Sequence, residues 1–265
     1  MTSELLHESV GWRVDASTAH ITLARPDAGN ALDLAMGKGL LEAATKVRQE
    51  AEAGPIRVVL VDAEGPSFCV GGDLRDFAGA DDRGGRVGAV VAAVHETIRL
   101  LQDAPVPVIT VVHGVAAGGG VGLALSGDLV LIARTAKVRL AYTAAGLSPD
   151  CGASWLLPRV GVARALDLAL TNRLVTGDEL AQWGLASRAM DETVLAREAT
   201  VIAAALARGP RAALAETKRL VRRASSVSLH EHLDAEASTI ARLAGESDGR
   251  EGVDAFLAKR SPAFL

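Results

Sequence analysis

Three short apolar runs constrain this chain more than any other feature: residues 56–61, Val108–Val112 and residues 129–132 read as buried strands. Between them lie helical patterns. Leu32, Leu34, Leu40, Leu41 and Val47 follow Asn30 at helical spacing, and residues 87–101 form a second such stretch that stops before Pro105 and Pro107. Buried strands alternating with helices, with glycine at the junctions, make the class α/β with parallel or mixed pairing. Residues 11–14 and 20–23 open the chain as a hairpin, residues 138–140 add a further strand, and the Gly- and Asp-rich residues 79–85 read as a loop. Beyond about Gly161 the pattern is helical, over residues 162–170, 178–183, 192–207, 211–224, 230–244 and 248–259. A core followed by a helical tail places a division at 1–195 and 196–265, the tail packing on the core or on another subunit.

The run Val115-Ala-Ala-Gly-Gly-Gly-Val-Gly122 stands between a strand and a helix. A phosphate loop needs Lys followed by Ser or Thr after its last glycine, and none is present. A dinucleotide fingerprint fails because Leu125 stands where its third glycine belongs. Two readings remain. Glycine here permits close packing of helix on strand, or it leaves N–H groups uncovered at a helix start, where a developing oxyanion can reach them. A second strand-end glycine turn, Ser67-Phe-Cys-Val-Gly-Gly-Asp-Leu74, could supply a second donor to the same oxygen.

Charge and composition exclude several functions. The 265 residues carry 28 Lys+Arg against 32 Asp+Glu, a net charge of −4 that argues against nucleic acid or an anionic membrane as partner. Residues 106–133, the longest apolar-leaning stretch, are interrupted by His113, the glycine run and Asp128, so they read as core and not as a membrane span. The first ten residues have no signal-peptide pattern. Cys69 and Cys151 are too few and too far apart for a disulfide framework or a metal motif, which makes a reduced cytoplasm the expectation. The chain has 27 glycines but only 4 Phe, 3 Trp and 1 Tyr, so small aliphatic side chains and close backbone approaches must fill its core.

Several motifs in order resemble the crotonase (enoyl-CoA hydratase/isomerase) superfamily: Phe68-Cys-Val-Gly-Gly-Asp-Leu74, His113-Gly-Val-Ala-Ala-Gly-Gly-Gly120, Ser126-Gly-Asp128, Gly146-Leu-Ser-Pro-Asp150, Trp183-Gly-Leu185 and Glu251-Gly-Val-Asp-Ala-Phe-Leu-Ala-Lys259. The resemblance runs from about Val10 to the C-terminus. It implies a crotonase fold, a spiral of ββα turns with a helical C-terminal region used for trimers or dimers of trimers. It also implies an acyl-CoA thioester substrate, with coenzyme A as part of the substrate and no metal or redox cofactor. The oxyanion donors of the family fall on Gly72 and Gly119. Coenzyme A would lie along Asp27, Ala28, Gly29, Gly72, Asp73 and Leu74, with Phe256 and Lys259 approaching its adenine and phosphates, in one view across a subunit boundary.

The departures bear on the reaction. The two glutamates of the hydratases fall here on Gly122 and Tyr142. Glycine cannot titrate, and a tyrosine with an ordinary pKa of about 10 is a poor base at neutral pH. Asp150 remains, at a position that relatives use to shift a double bond with one acid. Residues 149–159, Arg242-Leu-Ala-Gly245 and the tail from Phe256 to Pro262 are similar to ring-1,2-epoxyphenylacetyl-CoA isomerases. Asp150 read by itself is also ordinary helix-start chemistry, and His95 read by itself is a core-edge histidine. Together His95, Tyr142 and Asp150 resemble the 4-chlorobenzoyl-CoA dehalogenase branch, in which the aspartate is a nucleophile and the histidine a base. The readings thus stand as enoyl-CoA isomerase, dehalogenase-like enzyme, hydratase or non-catalytic acyl-CoA binder. In each, Gly122, Tyr142 and His95 belong to the substrate pocket.

Overall fold

The computed structural model describes residues 4–156 and 160–264. Residues 157–159, the end of one of the matching segments and the position of Arg159, lie outside the described residues. The chain begins with β1 (Glu4–Leu6), β2 (Val10–Asp15) and β3 (Thr18–Leu23), followed by α1 (Leu34–Ala53) and β4 (Val58–Ala63). Next come α2 (Leu74–Gly79), α3 (Arg83–Asp103), β5 (Val108–Val112), β6 (Val115–Ala117), α4 (Gly119–Leu125), β7 (Leu129–Ala133) and β8 (Lys137–Arg139). The remainder comprises α5 (Ala153–Leu156), α6 (Val162–Thr171), β9 (Val175–Thr176), α7 (Gly177–Gln182), β10 (Arg188–Met190), α8 (Glu192–Ala207), α9 (Arg211–Arg223), α10 (Leu229–Gly245) and α11 (Ser247–Leu257).

A seven-stranded sheet has the order β1-β2-β3-β4-β5-β7-β10; its first two pairings are antiparallel and the rest parallel. The three apolar runs are its centre, since β5 is buried at every position and β4 and β7 at most. Buried on both faces, these strands need no polar alternation. A smaller sheet, β6-β8-β9, lies beyond the carboxyl ends of the central strands, and Cys69 joins it by a single bridge to Ala116. Each turn of the chain therefore sends one strand to the large sheet, one short extended piece to the small sheet, and then a helix. The expected spiral of ββα turns is present.

Scarcity of aromatics is met by close helix packing. α1 lies on α3 through Gly37, where a Cβ would stand 3.3 Å from that of Ala93. α8 reaches the sheet through Leu195, Ala199 and Ala203. The division expected at residue 195 falls inside α8, a helix whose buried face packs on the core. The loop expected at residues 79–85 is shorter than its composition implied. Gly84 and Gly85 lie in the first turn of α3, held there because the Asp82 carboxylate accepts the Gly85 N–H at 2.9 Å. Arg86 reaches back from that turn to both carboxylate oxygens of Asp76, at 2.9 and 2.7 Å.

α9, α10 and α11 bury little: no residue of α9, Thr239 of α10 and Ala255 of α11. What ties α9 to the core is polar. Lys218, whose side chain is 7% exposed, donates to the carbonyls of Leu101 and Val106 at 2.9 and 3.0 Å and pairs with Asp128 at 2.9 Å. Arg222 meets the other oxygen of Asp128 at 2.6 Å, and Asp128 also accepts the Val108 N–H. Burial holds the Lys218 ammonium below its ordinary pKa, against the opposing pull of Asp128. No described helix is long and apolar enough to cross a membrane. Because Asp128 compensates two cations and a strand N–H at once, Asp128→Ala is expected to destabilise the chain by about 3–5 kcal/mol in urea unfolding; a loss within the range of ordinary surface substitutions would show the cluster to be dispensable.

Candidate active site

Two glycine turns meet beyond the strand ends. Gly71 and Gly118 both have left-handed backbones, φ 91° and 51°, which glycine adopts without the clash a Cβ brings. A Cβ on Gly71 would stand 2.7 Å from the Ala117 carbonyl oxygen and 3.2 Å from the Gly118 Cα. The turns touch backbone to backbone. One residue further along each turn are Gly72 and Gly119, which both line a cavity of about 270 Å³. Among the described residues neither N–H has a protein acceptor: Gly119 opens α4, whose first N–H groups lack intrahelical partners, and the neighbouring bridge is made by Gly71 and Asp73 with Leu32.

The rest of the cavity is mainly apolar. Leu32, Val70, Leu74 and Phe77 form one side and Leu140, Ala141, Ala145 and Leu147 another, while α3 contributes Val87, Val90, Val91 and Val94. The valines follow the i, i+3, i+4, i+7 spacing of one helix face. Asp150 carries the sole carboxylate among the described lining residues. One of its oxygens accepts the Tyr142 hydroxyl at 2.5 Å. Burial, and then the charge of Asp150, pushes the Tyr142 phenol well above its ordinary pKa, so Tyr142 acts as a neutral hydrogen-bond donor.

Beside Asp150 the Cys151 thiol is also raised, by burial first and by Asp150 second. Cys69, deeper in the core, is pushed up to about 12 by burial. Both cysteines are therefore protonated and inert at neutral pH. The Cys151 N–H donates to His95 Nε2 at 3.0 Å. Donor atoms of His95, Asp150 and Cys151 lie within 4.8 Å of one another. Within this set His95 Nε2 already accepts an N–H and one oxygen of Asp150 already accepts a phenol.

The structure brings Gly72, Gly119, Tyr142, Asp150 and Leu74 to one cavity and leaves other expected residues outside it. His95, partly exposed on α3, is absent from the cavity lining, although its ligand atom lies within 4.8 Å of the Asp150 carboxylate. Gly122 is covered, since a Cβ there would lie 2.0 Å from the Cys151 carbonyl oxygen. Both were expected in the substrate pocket; Gly122 lies instead under the Cys151 turn, and His95 meets that turn through its N–H. Asp27 and Ala28 form a short turn closed by Gly29, whose carbonyl accepts the Val70 N–H, so this segment adjoins the glycine turn. Asp73 caps α2 and pairs with Arg25 at 3.2 Å. Burial pulls its carboxyl upward, but the Asp76 N–H, Arg25 and the Arg75 N–H outweigh that and hold it low. Phe256, 82% exposed, and Lys259 lie at the far end of the tail, and the single chain does not bring them to the cavity. The sequence reading passed over the Gly71–Gly118 contact and the valine face. The tandem glycines and the valine spacing were the available signals; which residues they would face was not in them.

The chain matches the family model described as enoyl-CoA hydratase/isomerase over residues 13–265. It is 40% identical to the 1,2-epoxyphenylacetyl-CoA isomerase of Escherichia coli over 95% of this chain and 96% of that one. It is 27% identical to the trans-2-decenoyl-[acyl-carrier-protein] isomerase of Streptococcus mutans over 96% of both. Among solved structures, an enoyl-CoA hydratase from Polaromonas sp. JS666 superposes with a TM-score of 0.90 at 32% identity, covering 97% of this chain and 100% of that one.

As the only tyrosine, Tyr142 can be titrated by its phenolate absorbance without interference. No phenolate should appear in the native protein at about pH 10, where a free tyrosine is half ionised. Asp150→Asn removes the neighbouring charge and should move the transition down. A native transition at the free value in the unaltered protein would contradict the burial and charge described above.

Proposed function

The chain belongs to the enoyl-CoA hydratase/isomerase family, and we infer that within it this protein shifts a carbon–carbon double bond of an enoyl-CoA thioester, with Asp150 as the single acid/base. The observation that carries this reading is one carboxylate in an apolar cavity whose wall also presents two uncommitted N–H groups, those of Gly72 and Gly119. A proton on a carbon conjugated with a thioester becomes acidic only if the oxygen can hold the resulting charge. Donors fixed in place before the reaction do this without reorganisation, and each is worth about 2.7–4 kcal/mol of transition-state stabilisation. Asp150 takes the proton, the dienolate oxygen rests on the two N–H groups, and the same carboxyl returns the proton further along the chain. The step moves only protons and calls for no redox group; coenzyme A belongs to the substrate.

Hydration fits less well. It needs one group to take a proton from water and another to protonate carbon, and at position 122 the Cys151 carbonyl stands where a side chain would go. A nucleophilic role for Asp150 needs a free base for the hydrolytic half. His95 Nε2 is instead engaged by the Cys151 N–H. The valine, leucine and phenylalanine lining favours an apolar acyl group. We also propose that copies of the chain associate as a trimer or a dimer of trimers through the helical tail. Exposed Leu233, Ile240, Phe256 and Leu257 support this, as does the absence of Phe256 from the lining of the cavity of its own chain.

The test is double-bond migration in a 3-enoyl-CoA thioester, followed together with proton exchange in deuterated water. Asp150→Asn is expected to lower both by about a hundred- to ten-thousand-fold while thioester binding persists. Migration at the original rate in that variant would overturn the role of Asp150. Binding by the unaltered protein without exchange, over 2-enoyl, 3-enoyl and aryl thioesters, would mark a non-catalytic binder.

A further inference from the structure

We propose that His95 is a positioning residue: by accepting the Cys151 N–H it fixes the turn that holds the Asp150 carboxylate at the cavity wall. The proposal rests on the reading of Asp150 as the acid/base. The hydrogen bond His95 makes is with the turn, through the Cys151 N–H, and His95 is absent from the cavity lining.

The turn has little else to hold it. Leu147 is 46% exposed and donates its N–H to the Tyr142 carbonyl at 3.0 Å. The Tyr142 hydroxyl meets Asp150, and the Ala153 N–H meets the Asp150 carbonyl at 3.0 Å. All of these bonds stay within residues 142–153. Among the described residues, the bond from Cys151 to His95 on α3 is the one hydrogen bond that joins residues 147–152 to a separate element.

Cys151 also carries the strain of the turn. Its φ is 50°, a left-handed conformation that a non-glycine residue holds only when its surroundings enforce it, and it is 2% exposed. Its carbonyl packs on the bare face of Gly122 in α4, so its N–H and its carbonyl are gripped from two helices. Without an acceptor at position 95 the N–H would be buried and unpaired, and the turn would relax toward solvent to satisfy it. Asp150, one residue earlier, would move with it. Nε2 serves here as the acceptor of a backbone N–H, and while it does so it is not free to relay protons.

Three variants of the full chain separate positioning from other roles: His95→Gln, His95→Leu and Asp150→Asn. The glutamine amide oxygen can reach the place of Nε2 and accept the N–H; leucine cannot. His95→Leu should lower kcat for isomerisation by about 10- to 100-fold with KM little changed, the scale expected for a misplaced catalytic group. His95→Gln should restore most of that loss. The Tyr142 phenolate titration should move down in His95→Leu as Asp150 leaves the phenol, and hold its place in His95→Gln. Equal kcat in the leucine and glutamine variants, at any level, would overturn the proposal, as would an unmoved Tyr142 titration in His95→Leu. Retention of activity in Asp150→Asn would instead refute the acid/base reading, while the Tyr142 titration would still report whether His95 holds the turn.

Discussion

The close approach of two backbones at Gly71 and Gly118 is the constraint on which the site depends. Each turn follows a different parallel strand of the large sheet, β4 or β5, and each then bridges to or joins the small sheet. A methyl on Gly71 would collide with the Ala117 carbonyl and push the turns apart, while at Gly118 the positive φ of 51° is what calls for glycine. Their contact places the free N–H groups of Gly72 and Gly119 on one cavity wall. The sheet makes this possible: parallel strands send their connections out at the same ends, so loops distant in sequence become neighbours.

Against that wall the chain sets a single charge. Asp150 sits among valines and leucines with a neutral phenol on one oxygen and a protonated thiol beside it. Neither neighbour can become a second base at neutral pH, since burial and the Asp150 charge both act to keep their protons on. The site thus holds one carboxylate and two N–H groups without a protein acceptor, the set that the proposed double-bond shift requires. The scarcity of aromatics has a related consequence. Helices that meet through Gly37, Ala93, Ala199 and Ala203 can lie close to one another and to the sheet, which leaves α3 free to turn a face of valines to the cavity.

Much of the fold was legible in the chain. β5 and the helices after residue 161 fall close to where apolar runs and helical spacing put them, because those patterns are local consequences of burying one face. The strands β1, β9 and β10 were not legible. They are two or three residues long, and they exist only because a neighbour offers a partner edge. The early start of α3 was missed for a similar reason: Gly84 and Gly85 speak against a helix, and the Asp82 cap with the Arg86–Asp76 pair overrides them.

By itself the sequence determined the family, the strand-end glycine turns and the presence of Asp150 beside a non-acidic Gly122 and Tyr142, since these are properties of residue identity and spacing. Only the tertiary structure decided which of those residues meet. Gly122, expected in the pocket, lies under the Cys151 carbonyl, and His95, also expected there, accepts the Cys151 N–H. Both outcomes turn on the left-handed backbone of Cys151, a conformation that no local preference of cysteine favours and that contacts with α3 and α4 impose.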